Sequence, residues 1–138
     1  MRTLNRVGFA LAFSLFFSLG ALAAGGANVE ATPQAKAYRA SLRAIAAGDY
    51  DAYVKTLSSA TRKQMEQQTK GRPPNDVMSF LKSVSPTDPR LTAVKLDGKK
   101  ATLRVFGKID GQAMTGSVEM EEEGGQWKVG SPSWEAAK

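Results

Sequence analysis

The sequence predicts an α+β domain in which N-terminal helices pack on one face of a curved, cone-like four-stranded antiparallel sheet. Three observations carry this. Apolar residues between Thr32 and Val84 fall at helical spacing, and those from Leu91 onward alternate. The two regimes meet at the Pro-rich run Ser85-Pro86-Thr87-Asp88-Pro89.

The chain opens with the three parts of a secretory signal in order. Arg2 and Arg6 give a basic start, Val7 to Leu19 is apolar, and Ala21-Leu22-Ala23 supplies the small residues read by signal peptidase. Residues 1–24 are therefore expected to be a cleaved signal peptide, with cleavage after Ala23 or Ala24. The competing reading is an uncleaved anchor, because Val7 to Ala24 is near the shortest length that spans a bilayer. Export implies a periplasmic or secreted protein that meets the membrane only through its signal peptide. Residues 25–32 read as a mobile lead, and 33–138 as a single domain.

Within the domain, Thr32 and Pro33 start a helix whose apolar face is Ala35, Tyr38, Leu42 and Ile45, and Gly48 stops it. Asp49 caps a second helix with Tyr50, Tyr53, Val54 and Leu57 on its face. A third, strongly polar helix runs from Ser59 towards Lys70, with Ala60 and Met65 to bury. After Gly71-Arg72-Pro73-Pro74, Asn75 caps a helix carrying Val77, Met78, Phe80, Leu81 and Val84. The strand half is punctuated by Asp97-Gly98, Asp110-Gly111 and Gly124-Gly125, each suited to a two-residue hairpin turn. Turns at these places fix the register. They pair Val94 with Ala101, Leu96 with Lys99, Ala101 with Met120, Leu103 with Val118, Val105 with Gly116, and Met120 with Val129. One face then collects Val94, Leu96, Ala101, Leu103, Val105, Met114, Val118, Met120, Trp127 and Val129. The other collects Lys100, Thr102, Arg104, Ser117, Glu119, Glu121 and Lys128, with opposite charges facing each other.

Two segments resemble the superfamily typified by nuclear transport factor two and ketosteroid isomerase. They are Ala46-Ala47-Gly48-Asp49-Tyr50, where one helix hands over to the next, and Gly124-Gly125-Gln126-Trp127-Lys128-Val129, which is similar to the family's last strand. The likeness runs from Pro33 to Trp134 and is greatest to small exported bacterial domains of unknown function. It implies a sheet curved around helices, often with an enclosed pocket, in a family that includes isomerases, dehydratases, binding modules and assembly domains. Isomerase members use an Asp base with a Tyr or acid donor, and no motif here aligns with those residues.

Composition excludes several chemistries. There is no His and no Cys, so there is no imidazole base, no Ser-His-Asp triad and no usual zinc ligand set. Neither a metal nor any other cofactor is expected. The formal net charge is +6, and removing Arg2 and Arg6 leaves +4, spread without a basic run or interleaved aromatics, so nucleic acid is not an expected partner. No catalytic residue is assigned. The expectation is a non-catalytic binding domain, with three readings open. A small molecule would lie between helices and sheet against Tyr38, Tyr53, Phe80, Met114, Met120 and Trp127, with Gly116 leaving room. Alternatively, a homodimer or an envelope protein partner would use the polar sheet face at Phe106, Arg104 and Thr115. A cone-type isomerase or hydrolase would need a buried acid. Glu119, Glu121, Glu122 and Glu123 lack the loop spacing of a calcium site and read as a solvated turn.

Overall fold

A computed structural model describes residues 28–138; the expected signal peptide and the first residues of the expected lead lie outside the described residues. The lead is ordered earlier than expected. Val29–Ala31 form a short 3-10 turn, and Val29 packs against the core. Arg39 holds this turn down, pairing with Glu30 and donating to the Pro89 carbonyl at 2.8 Å.

Four helices follow, α1 (Pro33–Ala47), α2 (Tyr50–Thr56), α3 (Ser59–Gln68) and α4 (Pro74–Val84). The predicted start and stop signals act locally. The Thr32 hydroxyl accepts from the Ala35 N–H, Gly48 ends α1 at φ 70°, and Asp49 accepts from the Ala52 N–H at 3.0 Å. α3 begins at Ser59 as expected, capped by Ser58, whereas α4 begins two residues earlier than a cap at Asn75 implies, because Pro74 occupies the first helical position where its missing N–H costs nothing.

The strands β1 (Thr87–Asp97), β2 (Lys100–Ile109), β3 (Gln112–Glu123) and β4 (Gln126–Ala136) form one antiparallel sheet in sequence order. β1 begins at Thr87, inside the Pro-rich run and before the alternation expected from Leu91, by means of an irregularity between Thr87 and Arg90 with Asp88 at φ 47°. The second and third hairpins have the predicted register. The first does not. Asp97 faces Lys100, Leu96 faces Ala101 and Val94 faces Leu103, so the turn is Gly98-Lys99. Gly98 has φ 59° while Lys99 has no positive φ, as a type II′ turn requires of its two central residues. A single Gly in first place suffices, and Asp97 stays in the strand. The correction shifts the pairing by two residues, so both faces keep their members.

The apolar face meets the helices. Ala101, Leu103, Val105, Val118, Met120 and Val129 are buried there with Ala35, Tyr38, Leu57, Leu91 and Val94. Leu96 is the exception, 52% exposed at the end of the sheet. α3 buries no residue fully, as its polar sequence requires, and lies beside β4. Leu57 forms a parallel bridge with Val129 just before it, and the Ser58 N–H donates to the Val129 carbonyl. These elements cover part of the otherwise open edge of β4, and Pro132 further blunts it.

Candidate functional site

The sheet register is irregular at one functionally telling place. Met120 faces Val129 but Val118 faces Pro132, so Gly130 and Ser131 together oppose Glu119 as a β-bulge. Beyond it the inward positions of β4 become Pro132 and Trp134. Trp134 lies on Gly116, where an added Cβ would come 2.5 Å from two indole carbons. The room at Gly116, expected to belong to a pocket, is therefore filled by an indole.

Between helices and sheet there remains a cavity of about 80 Å³, lined among others by Tyr38, Leu42, Ile45, Tyr53, Leu81 and Trp134. Sites for drug-sized ligands occupy about 300–1,000 Å³. Of the six residues expected to line a ligand cavity, Tyr38 and Tyr53 do so. Phe80 points away, 58% exposed on α4, because Val77 and Met78 form the buried side of that helix. Met120 is buried in the core and does not line this cavity. Met114 is half-buried near the far end of β3, opposite Gly107 and Ala136. Trp127 is half-buried near the β3–β4 turn, opposite Glu122. Leu42, Ile45, Leu81 and Trp134 were missed; the first three sit on the predicted helix faces, and Trp134 is inward only because of the bulge.

Burial pushes the Tyr38 phenol well above its ordinary value and raises Tyr53 in the same direction. Both rings stay protonated through neutral pH. Above pH about 10 the unfolded chain releases these protons and the folded one resists, so the folded state loses ground as pH rises. Chemical denaturation at stepped pH is expected to show stability falling from about pH 10 upward, with Tyr38→Phe flattening the slope.

No carboxylate among the described residues is buried. The two acids with shifted values move down. The Arg39 guanidinium lowers Glu30, and hydrogen bonds from the Ser59 N–H and hydroxyl lower Glu123. The buried acid that a cone-type isomerase or hydrolase requires is not found among the described residues. Ser41 and Thr56 donate to the backbone carbonyls of Tyr38 and Tyr53 at 2.7 and 2.6 Å. The described residues contain no group of three or more acidic side chains placed to hold a metal.

The outer face of the sheet assembles the other predicted set. Phe106 faces Thr115, and Arg104 faces Ser117, to whose hydroxyl it donates at 3.3 Å. Phe106 is half-buried, and the Arg90 guanidinium lies 5.2 Å from its ring centroid, an arrangement the sequence reading missed. Arg90, Phe106, Thr115 and Glu135 follow one another across all four strands. Lys95, Thr102 and Glu119 form a second row of the same polarity.

No family model and no curated protein matches this sequence. Solved structures do. One is the solution structure of RPA3114, a SEC-C motif-containing protein from Rhodopseudomonas palustris, with TM-score 0.53 and 16% identity over 74% of this chain and 77% of that one. The likeness is one of fold. Similar structures also include two NTF-2-like proteins of unknown function. The one from Silicibacter pomeroyi has TM-score 0.49 and 14% identity over 74% of this chain and 91% of its own. The one from Burkholderia xenovorans has 0.46 and 14% over 77% and 85%. The expected fold class stands, an α+β arrangement of helices on one face of a curved antiparallel sheet.

Proposed function

We propose that this is an exported, non-catalytic interaction domain of the bacterial envelope that self-associates through the outer face of its sheet. The observation that carries the reading is the polarity of that face. In the row that crosses the sheet at Phe106 the cation, Arg90, lies on β1 and the anion, Glu135, on β4. A two-fold axis parallel to the strands sets β1 of one copy over β4 of the other, bringing each Arg90 to the other copy's Glu135, so this row complements itself. Phe106 and Arg104 near the centre are the residue types that anchor interfaces. The cavity between helices and sheet supports a ligand less well, being smaller than a usual site and lined by core side chains.

The absence of Cys from the chain makes a direct test available. Thr115→Cys places one thiol beside Phe106, and Arg43→Cys places one on the exposed side of α1. Mild oxidation is expected to trap Thr115→Cys as a covalent dimer and to leave Arg43→Cys monomeric. Equal trapping of both would contradict the reading.

A further inference from the structure

A second site lies on the same sheet face, at the end of β2 that carries Lys100 and Thr102. A cleft of about 440 Å³ opens between α3 and the β1–β2 turn end of the sheet, within the range of small-molecule sites. Thr102, which borders it, is four residues along β2 from Phe106, or about 14 Å at strand rise.

We propose that this cleft binds a small zwitterion carrying a free ammonium and a free carboxylate, such as an amino acid or short peptide. The lining supplies both complements. Lys95 and Lys100 offer cations, while Asp97, Glu119 and Glu121 offer anions. The sheet register sets Lys100 between Asp97 and Glu121, and Thr102 between Lys95 and Glu119. Among the described residues the one ion pair within 4.0 Å is that of Arg39 and Glu30, so these five charges are not already engaged with one another. A cleft lined by one sign of charge would select a simple anion or cation; this one presents both within a few ångströms. No aromatic side chain lines it, which removes the stacking platform that a sugar ring or nucleobase uses.

The wall opposite these charges is polar and adaptable. Thr61 and Gln64 of α3 face the cleft, as do Gly130 and Ser131 of the bulge, where the extra residue leaves backbone groups outside the ladder. The start of α3 and the end of α2 before it are pinned. Glu123 accepts from the Ser59 N–H at 2.7 Å and from its hydroxyl at 2.8 Å, and Lys128 donates to the Lys55 carbonyl at 2.8 Å. The rest of the helix buries no residue fully, so α3 has little packing to lose in adjusting to a ligand.

The test is a titration of the ¹⁵N-labelled protein with glycylglycine, followed by amide chemical shifts. The comparison compounds are the N-acetylated, C-amidated dipeptide and glycerol. Glycylglycine is expected to move the amides of Lys100, Thr102, Glu121, Gly130 and Ser131 saturably at millimolar concentration, and the blocked dipeptide and glycerol to leave them in place. Lys100→Gln and Glu121→Gln, both at the surface, are each expected to weaken binding about two- to fivefold, as for exposed charge pairs. Phe106→Asp is expected to bind glycylglycine unchanged, which separates this site from the self-association surface. Absence of saturable shifts, or equal shifts from the blocked dipeptide or glycerol, would overturn the proposal.

Discussion

Gly116→Ala is expected to destabilise the fold by about 2–3 kcal/mol, the upper part of the range for overpacking a filled site. The added methyl would stand 2.5 Å from the indole of Trp134, a distance no real Cβ contact tolerates. A rigid bicyclic ring cannot yield at its tip as a Lys side chain does, so either Trp134 leaves the sheet or β3 and β4 separate locally. A double-mutant cycle with Trp134→Ala isolates the clash. In the Trp134→Ala background the three nearest contacts of that methyl are gone, and it is expected to cost far less. Urea unfolding of the four proteins measures both terms, and additive effects would show that the indole does not rest on Gly116.

Leu103→Ala is expected to cost about 3–4 kcal/mol, the largest loss from any single truncation here. Leu103 is fully buried on the second strand, between Val94 and Val118, with helices above. Such a site is hemmed by strands on both sides and relaxes little into the cavity left behind. At this chain length the melting temperature is expected to fall by roughly 10–15 °C. The denaturant slope should stay unchanged, since the surface exposed on unfolding is nearly the same. A loss below about 1 kcal/mol would mean that the inner face of the sheet is not the core.

Most of this architecture is legible in the sequence because hairpin turns are local and alternation is strict. Asp110-Gly111 and Gly124-Gly125 take positive φ at all four residues, and the registers they imply are those found. Gly98 departs because one Gly admits either of two turn placements, and only sheet pairing decides between them. β4 departs for a different reason. Strict alternation from Trp127 and Val129 would point Ser131 and Ser133 inward; the bulge gives those inward places to Pro132 and Trp134. A signal existed, namely Gly130 within a strand followed by a change in which positions are apolar.

The candidate sites were less legible than the fold. Phe106, Arg104 and Thr115 come together because their neighbourhood follows from register alone. Cavity volume does not follow from register. Tyr38 and Tyr53 do line one cavity, but how much space remains depends on the indole over Gly116 and on the side of α4 that turns inward. The α3 cleft was out of reach for the same reason. It needs a polar helix placed beside a sheet edge, and polar helices carry no apolar stripe to say which way they lie.

Sedimentation velocity of the wild-type protein and of Phe106→Asp, across a concentration series, tests the central claim most directly. A dimer in the wild type that becomes a folded monomer in Phe106→Asp, with unchanged circular dichroism, is the predicted result. A wild-type protein that stays monomeric at every concentration, or a Phe106→Asp variant that remains dimeric, would contradict it.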